Sequence, residues 1–244
     1  MKQRRVLVTG GSGAIGAATA TAFAEAGAVV AATSRSGHVA GVPHAFAMEL
    51  GDAGSIAAAV SGATSVLGGL DTLVVNAVRW PDGFAERFEE LDASEWRSVL
   101  RANVEGAFAL VGAALPALRD SAAGRIVLMS SGAAEEGHPP AAHYVAAKAA
   151  LHGLCRALAW DAGRDGILVN AIATGFTRTA AGVERFGSEL YDRAGALTPQ
   201  GRVSTPGDVA ALALWLGSPA NASVTGEVVR EGTGAARTPL VALS

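Results

Sequence analysis

Short β-branched runs alternate with longer alanine-rich stretches along the whole 244-residue chain. The short runs are almost continuously apolar, as strands buried on both faces of a sheet must be. The longer stretches have the 3.6-residue period of helices that cover such a sheet. The alternation predicts an α/β fold, in which helices connect parallel strands and pack on both faces of one doubly wound sheet. We expect seven strands and a single domain over residues 1–244.

The apolar runs predict where the strands and helices lie. Strands are expected at residues 5–9, 28–33, 45–49, 72–76, 124–130, 167–173 and 227–229. Helices are expected at residues 14–26, 55–60, 94–119, 143–164 and 206–216. Residues 177–205 are polar and weakly periodic, which predicts a substrate-binding lid, since structureless connections of that length are uncommon. Residues 234–244 are expected to form a C-terminal extension.

Composition and charge exclude several classes of protein. The single cysteine, Cys155, excludes a disulfide framework, a cysteine-based zinc site and an iron–sulfur cluster, and it fits a reducing cytoplasm. The 19 basic and 22 acidic residues leave no charge footprint for nucleic acid. No signal peptide or apolar run of about 18 residues is evident, so we expect a cytoplasmic protein without a membrane span. Arg4 and Arg5 are expected to be a solvated lead-in to the first strand, and no cluster with metal-ligand spacing is present.

A glycine-rich turn lies between the first predicted strand and the first predicted helix. It reads Thr9-Gly10-Gly11-Ser12-Gly13-Ala14-Ile15-Gly16. Glycines allow the backbone to turn tightly and approach a ligand, and the N–H groups at a helix start can bind phosphate. The arrangement is typical of the Rossmann-type fold and predicts a dinucleotide site at Gly10, Ser12, Gly13, Ile15 and Gly16. The alternative is a tight strand-to-helix turn without a ligand.

The end of the second predicted strand bears on which cofactor is bound. The sequence there is Thr33-Ser34-Arg35, without the acidic residue that accepts the ribose hydroxyls of NAD. An arginine can instead pair with the 2′-phosphate of NADP. Ser34 and Arg35 therefore favour NADPH over NAD, unless Arg35 is an ordinary exposed loop charge.

Tyr144 and Lys148 are four residues apart at the start of a strongly helical stretch. This spacing places the phenol and the ammonium on one helix face, where a cation can lower the pKa of a tyrosine towards that of a general acid or base. Ser131 ends a buried strand at the edge where ligands of such folds bind, and Asn103 lies in the preceding long helix. Taken singly, each of these residues is also compatible with a surface position.

Together, these motifs resemble the short-chain dehydrogenase/reductase family over nearly the whole chain. The resemblance includes the glycine turn, Asn103, Ser131 and the Tyr144-x-x-x-Lys148 spacing. It extends to three further segments, Val75-Asn76-Ala77-Val78, Thr174-Gly175-Phe176-Thr177-Arg178-Thr179 and Thr225-Gly226. Within the family, residues 201–210 and 216–226 are similar to the 3-oxoacyl-carrier-protein reductase branch.

The resemblance implies a role for each site residue. Tyr144 would donate a proton to the substrate carbonyl oxygen, which Ser131 would hold and polarise. Lys148 would bind the nicotinamide ribose and lower the pKa of Tyr144, and Asn103 would help to anchor a proton-relay water. Further cofactor contacts are implied at Glu49, Leu50, Asn76, Ala77, Tyr144, Lys148, Gly175 and Thr177.

Departures from the family pattern concentrate around the expected substrate pocket. Val78 replaces a glycine and is followed by Arg79 and Trp80. Ala14 replaces a glycine of the cofactor turn, and Thr174 replaces a proline. Substrate contacts are expected at Ser131, Trp80, His138 and Phe176. Such aromatic residues suit a medium-sized cyclic or polyketide-like ketone, although they could equally pack the loops against the core.

Three functions remain open at this point. The leading hypothesis is an NADPH-dependent ketoreductase acting on a small ketone or an acyl thioester. The alternatives are an NAD-dependent alcohol dehydrogenase working oxidatively and a non-catalytic nucleotide-binding relative. An acyl carrier protein is weakly supported as a partner, because Ala122 and Asp165 stand where the family has docking arginines, with Arg119 and Arg164 nearby. The family also implies a homo-oligomer, a tetramer or dimer.

Overall fold

Seven parallel strands form one sheet in the computed structural model, which describes residues 1–82, 87–138 and 141–232. The strands are β1 (Arg5–Val8), β2 (Val29–Ser34), β3 (His44–Ala47), β4 (Thr72–Val75), β5 (Arg125–Ser131), β6 (Leu168–Thr174) and β7 (Val228–Glu231). Their order across the sheet is β3-β2-β1-β4-β5-β6-β7. The predicted doubly wound α/β fold with seven parallel strands is confirmed. The order reverses direction between β1 and β4, which opens a crevice at the carboxyl ends of the strands.

Nine α-helices connect or follow these strands within the described part of the chain. They are α1 (Ala14–Glu25), α2 (Ala53–Leu67), α3 (Ala93–Leu100), α4 (Gly106–Arg119), α5 (Ala133–Glu136), α6 (Ala142–Ala162), α7 (Ala180–Phe186), α8 (Ser188–Ala196) and α9 (Pro206–Leu216). A π-helical turn, Arg101–Glu105, joins α3 to α4.

The core consists of two apolar layers, one on each face of the sheet. Alternate residues of β5 enter different layers: Ile126 and Leu128 pack with α2, α4 and α6, whereas Val127 and Met129 pack with α1 and α9. This follows from the two-residue period of a strand. Burial on both faces explains why the strands are almost continuously apolar in the sequence.

Three predicted elements differ from the structure. The helix expected at residues 55–60 extends over Ala53–Leu67, with Asp52 capping its first N–H groups and Gly68 at its end. The helix expected at residues 94–119 is interrupted by Arg101–Glu105. Residues 177–205 contain the short helices α7 and α8. The C-terminal extension expected at residues 234–244 lies outside the described residues.

The prediction that Arg4 and Arg5 are a solvated lead-in is wrong. Arg4 is buried, and its guanidinium donates to Thr72 Oγ1 at 2.7 Å and to the carbonyl oxygen of Gly217 at 3.0 Å. Arg5 donates to both carboxylate oxygens of Asp71, at 2.7 and 3.0 Å. Carbonyl oxygens and a carboxylate from distant loops lie together at this end of the sheet, and the two arginines donate hydrogen bonds to them.

The stretch Ala93–Arg119 is, among the described residues, the one helical run long and apolar enough to cross a membrane. It spans α3, the π-helical turn and α4. Its residues Leu110, Ala114 and Leu118 are buried in the layer that covers the sheet. Core packing therefore accounts for its apolar character.

Candidate active site

The residues expected to bind a cofactor come together at one edge of the sheet. Except for Tyr144 and Lys148 on α6, they lie at or just after the carboxyl ends of β1, β2, β3, β4 and β6. Ser131 is the last residue of β5. Parallel strands place all their carboxyl ends at the same edge, so positions far apart in the sequence become neighbours. The candidate site lies in the crevice at that edge.

The glycine turn after β1 is tightly packed against the end of β4. Gly10 has a φ of +69°, a conformation that favours glycine, and a Cβ there would lie 2.7 Å from the Cα of Ala77. A Cβ at Gly16 would overlap the carbonyl oxygen of Gly10 and lie 2.7 Å from Asn76 Nδ2. These two glycines are therefore required by the fold of the turn itself.

Gly13 differs from those two glycines because a Cβ at this position would fit. A Cβ at Gly13 would meet only the carbonyl oxygen of Gly10, at 3.5 Å, which is an ordinary contact. Gly13 is the N-cap of α1, and no side chain caps that helix. Ser12 and Gly13 are exposed, and Ile15 is half-buried behind them. The turn thus presents uncapped helix N–H groups to solvent, which fits the pyrophosphate of a dinucleotide.

Asn76 holds the glycine turn in place. Its Nδ2 donates to the carbonyl oxygens of Thr9 and Gly10, at 2.9 and 3.2 Å. The Thr9 hydroxyl in turn accepts from the backbone N–H groups of Asn76 and Ala77, at 2.9 and 3.1 Å. The Asn76 side chain therefore holds the backbone of the glycine turn in its conformation. A cofactor would bind to the exposed side of that turn.

Arg35 lies just past the end of β2 on the same edge. It is exposed, and no other described residue forms an ion pair with it. Ser34 is buried and donates to the carbonyl oxygen of His38 at 2.9 Å, which closes a short loop around Arg35. A guanidinium that no described residue pairs with, beside two serines, Ser34 and Ser36, fits a phosphate group.

The remaining expected cofactor contacts line the crevice on both sides. Glu49 and Leu50 follow β3, and the backbone N–H of Glu49 donates to Ser55 Oγ at 2.9 Å. Gly175 follows β6 and donates its N–H to the carbonyl oxygen of Glu231 at 2.8 Å. Thr177 donates its hydroxyl to the carbonyl oxygen of Gly175 at 3.0 Å.

Tyr144 and Lys148 lie one turn apart on α6, and both are buried. The Lys148 ammonium is 5.8 Å from the centre of the Tyr144 ring. Burial raises the pKa of Tyr144 to about 12, and a hydrogen bond with Ser131 acts in the opposite direction. Burial also lowers the pKa of Lys148 to about 8.

Burial of the Tyr144 phenol acts in the opposite direction to the lowering of its pKa that is expected from Lys148. The Lys148 ammonium donates to the carbonyl oxygen of Met129 at 2.7 Å. The desolvation of the buried phenol outweighs any attraction between phenolate and ammonium. The result is a phenol that keeps its proton at neutral pH beside the hydroxyl of Ser131.

Asn103 occupies the middle of the π-helical turn, with its side chain turned inward. Its Oδ1 accepts from the backbone N–H of Arg79, and its Nδ2 donates to the carbonyl oxygen of Arg79, each at 2.9 Å. The wide turn is closed by a bond from the Gly106 N–H to the carbonyl oxygen of Arg101. Such turns inside α-helices often lie at functional sites.

Comparisons with known proteins agree with this geometry. A family model described as Enoyl-(Acyl carrier protein) reductase matches residues 10–235. The chain belongs to the short-chain dehydrogenase/reductase family. The predicted resemblance is therefore confirmed.

The family relatives include enzymes of acyl-thioester reduction. The chain is 32% identical to the 3-oxoacyl-[acyl-carrier-protein] reductase FabG of Vibrio cholerae, over 93% of this chain and 95% of that protein. It is 34% identical to the acetoacetyl-CoA reductase of Shinella zoogloeoides, over 95% of this chain and 98% of that protein. A crystal structure of a protein assigned as a short-chain alcohol dehydrogenase from Sinorhizobium meliloti is 34% identical, with a TM-score of 0.84 and coverage of 94% of this chain and 95% of that one.

The structure of this short-chain dehydrogenase/reductase also places supporting residues that the sequence did not single out. Ser130 donates to the carbonyl oxygen of Lys148 at 2.9 Å and lies 2.8 Å from His152 Nε2. This pairing fixes α6 against β5 beside the catalytic candidates. A serine and a histidine 22 residues apart give no local sequence signal, so only the fold reveals them.

A second supporting group surrounds the turn after Ser131. Arg230 of β7 donates to Glu135 at 2.6 Å and to Glu136 at 3.0 Å, both on α5. The ion pairs tie the residues that follow Ser131 to the edge strand of the sheet. They connect positions more than ninety residues apart, beyond the range of any periodic pattern.

The residues expected to contact substrate lie in different surroundings in the structure. The Trp80 ring is stacked on the ring of Tyr144, with centroids 4.7 Å apart. Phe176 is stacked on Tyr191 of α8 instead, with centroids 4.4 Å apart, and belongs to the small core beneath α7 and α8. His138 is half-buried at the end of α5, where burial lowers its pKa.

Proposed function

We propose that this chain is an NADPH-dependent carbonyl reductase in which Tyr144 donates a proton to a substrate ketone. The main support is the position of that phenol. Tyr144 lies beside Ser131 at the edge of the sheet where the cofactor turn lies, and burial raises its pKa. The phenol can therefore act as a general acid in reduction, and the same group would serve as the base in the reverse reaction.

NADPH would supply the hydride to the carbonyl carbon, and the protein supplies binding and proton transfer. The Ser131 hydroxyl holds the carbonyl oxygen, so that the charge that develops there is stabilised. Tyr144 Oη gives its proton to that oxygen, and the product is the secondary alcohol.

Lys148 and Asn103 serve the return of a proton to Tyr144 in this proposal. The Lys148 ammonium, on the same helix face, stabilises the phenolate that forms when the proton leaves. Asn103 Oδ1 accepts one hydrogen bond, from the backbone N–H of Arg79, and an amide oxygen can accept two. It therefore keeps the capacity to bind the relay water that the family implies.

NADPH is preferred over NADH in this proposal because Arg35 can pair with the 2′-phosphate. Replacing Arg35 by alanine should raise the KM for NADPH about tenfold or more and leave that for NADH nearly unchanged. Arg164→Ala removes an exposed arginine distant from the crevice and is the matched control. An NADPH preference that survives in Arg35→Ala would overturn this assignment.

The substrate is a ketone bound between the strand ends and residues 177–205, the proposed lid. The relatives that reduce acyl thioesters favour an acyl-chain or polyketide-like ketone, and Trp80, His138 and Phe176 are the proposed pocket residues. Docking of an acyl carrier protein receives less support. Arg119 already pairs with Asp165 at 2.7 Å, so its charge is not free for an acidic partner.

The proposal is tested by NADPH consumption with an acetoacetyl thioester, a bicyclic ketone and an aromatic polyketide-like ketone. Wild-type protein should reduce at least one of them. Tyr144→Phe should lose turnover at least a hundredfold while binding NADPH as tightly as wild type. Full turnover in Tyr144→Phe would reject the mechanism. NAD-dependent oxidation without any ketone reduction would favour an alcohol dehydrogenase instead.

We also expect a homo-oligomer in the cytoplasm. Phe108 of α4 and Trp160 of α6 are 69% and 83% exposed, and large apolar side chains left open to water are typical of surfaces that meet another subunit. The buried thiol of Cys155 fits a reducing compartment. A monomeric mass at micromolar concentration would contradict the oligomer.

A further inference from the structure

The Trp80 ring covers one face of the candidate proton donor. The Trp80 and Tyr144 rings are 4.7 Å apart between centroids and inclined by 14°. Tyr144 is 7% exposed, whereas Trp80 is 57% exposed. The indole thus lies between the phenol and solvent. A large aromatic residue at a rim position is not needed to fill the core, so its placement calls for another explanation.

The backbone that bears Trp80 is held by α3 and the π-helical turn. Arg79, the preceding residue, has both its N–H and its carbonyl oxygen bonded to the carboxamide of Asn103. Its guanidinium donates to both carboxylate oxygens of Glu95, at 2.9 and 3.0 Å. Glu95 also accepts from the backbone N–H of Asp82, at 2.8 Å. We call this group of Arg79, Asp82, Glu95 and Asn103 the clasp.

The clasp fixes residues on both sides of Trp80. Arg79 is bound before the indole and Asp82 after it, so the Trp80 backbone has little freedom to move. The Arg79 and Glu95 side chains are 27% and 18% exposed, and their bidentate pairing is a strong, directional interaction. An exposed tryptophan on a mobile loop would lose its stacking contact easily, but this one is held over the phenol.

We propose that Trp80 is a positioning residue that keeps water away from one face of Tyr144 and confines the substrate carbonyl to the side of Ser131. This inference rests on the proposed function for its catalytic meaning, but the cover itself can be tested without turnover. Stacked aromatic rings attract each other beyond the effect of the area that they bury, which favours keeping the two rings together. Removal of the cover would admit water to the phenolate, which favours ionisation.

The chain offers a direct spectroscopic readout, because it contains only two tyrosines. In a Tyr191→Phe background, Tyr144 is the only phenol, and its ionisation can be followed by ultraviolet difference absorbance as the pH rises. Phenylalanine retains the ring that stacks on Phe176, so this background should fold. Circular dichroism at each pH checks whether the protein is still folded, and the midpoint is fitted to the points at which it is.

Replacing Trp80 by alanine in that background should lower the ionisation midpoint of Tyr144 by at least about one pH unit, a tenfold change in its ionisation constant. Trp80→Phe should keep most of the cover and shift the midpoint by less than half as much. Glu95→Gln weakens the clasp and should shift the midpoint in the same direction by an intermediate amount. Trp215→Ala, which removes an indole 41% exposed on α9, should leave it unchanged.

Other charged groups around this end of α6 remain in place in Trp80→Ala. Lys148 and the buried His143 belong to α6 itself. The elements packed against α6 provide Glu95, Arg97, Arg101, Glu105, Glu135 and Glu136. Because the alanine variant alters none of these side chains, a lowered midpoint reports on the cover.

The outcomes separate this inference from the proposed function. An unchanged midpoint in Trp80→Ala, or an equal shift in Trp215→Ala, would overturn the inference whether or not the protein reduces ketones. A lowered midpoint in a protein that reduces no ketone would support the cover and reject the reductase. Where a ketone is reduced, Trp80→Ala should lower kcat more than it raises KM.

Discussion

The ammonium of Lys148 donates a hydrogen bond to the carbonyl oxygen of Met129, 2.7 Å away, inside the protein. A buried lysine with one carbonyl partner is less solvated than in water, and its pKa falls to about 8. Burial of the Lys148 ammonium therefore costs folding free energy, and the fold alone does not require this cost. Such costs are common where a side chain serves a site and not the core.

Replacing Lys148 by methionine should abolish turnover and yet stabilise the fold at pH 7 by about 2–3 kcal/mol. The folded-state pKa lies below the unfolded value, so the unfolded state binds more protons between them. Stability of the wild type should therefore rise as the pH increases from about 8 to 10, and the advantage of the variant should shrink over that window. Denaturant titrations of both proteins at pH 7 and pH 10 measure the stability difference and its decrease with pH.

Lys2→Met is the natural control, since Lys2 and Lys148 are the two lysines of the chain. It should change neither turnover nor stability. A destabilised Lys148→Met at pH 7 would show that the bond to Met129 outweighs the desolvation of the ammonium.

The two directions of the reaction should respond differently to pH. Reduction uses the protonated form of Tyr144, whose pKa burial raises above its usual value, so its rate should stay nearly level from pH 6 to 8. Alcohol oxidation needs the phenolate, so its rate should rise about tenfold per pH unit between pH 7 and 9. Initial rates with saturating cofactor test this expectation. A level oxidation rate over that range would be inconsistent with Tyr144 as the base.

Gly13 and Gly16 should respond in opposite ways to replacement by alanine. Gly16→Ala places a Cβ against the Gly10 carbonyl and Asn76, so we expect a loss of about 2 kcal/mol or more in stability. Gly13→Ala meets no close contact and should fold normally, but its methyl group points to the surface offered to phosphate. It should weaken NADPH binding about tenfold. Thermal unfolding and NADPH fluorescence titrations distinguish the two effects, and normal NADPH affinity in Gly13→Ala would argue against the phosphate site.

Asp71 should make the fold sensitive to acid. Burial alone would raise the pKa of its carboxyl group, but hydrogen bonds from Arg5 and from the Ser121 hydroxyl, the latter at 2.6 Å, outweigh that effect and hold the pKa well below the usual range. The stability it contributes is therefore present above about pH 4 and is lost as the pH falls below the unfolded value. Asp71→Asn should cost about 1–3 kcal/mol at pH 7.

The matched control for Asp71 is Asp192→Asn. Asp192 pairs with Arg178 at a similar distance, 2.8 Å, but its side chain is 67% exposed. Exposed pairs contribute about 0–1 kcal/mol. Equal losses in the two variants at pH 7, measured by urea unfolding, would show that burial does not strengthen the Asp71 pairing.

The strands could be predicted closely from the sequence because their burial on both faces produces an unmistakable apolar run. The catalytic candidates could be located because Tyr144 and Lys148 are neighbours on one helix turn, a relation that sequence spacing determines. The burial of Arg4 could not be predicted, since its hydrogen-bond acceptors belong to residues as distant in the sequence as Thr72 and Gly217. A charged residue at the start of a strand is normally exposed to solvent. Arg4 is buried because the folded loops bring hydrogen-bond acceptors around it.

The two short helices between residues 177 and 205 were hidden for a different reason. Their packing depends on a few aromatic contacts, such as that of Phe176 with Tyr191, and not on a long apolar stripe. The clasp was equally hidden, because Arg79 and Glu95 are 16 residues apart and belong to different elements. Local sequence patterns do not predict such pairings between residues of different elements.

The π-helical turn adds one residue to this helical run without changing the direction in which its two halves face. Its closing bond, from the Gly106 N–H to the carbonyl oxygen of Arg101, spans one residue more than an α-helical bond, so the extra residue widens the turn. Val99 before the turn and Leu110 after it are both buried, and a regular helix shorter by one residue would direct both of them into the core as well. Loss of one residue from Arg101–Glu105 should therefore leave the packing of α3 and α4 intact and remove the widened turn that holds Asn103 against Arg79.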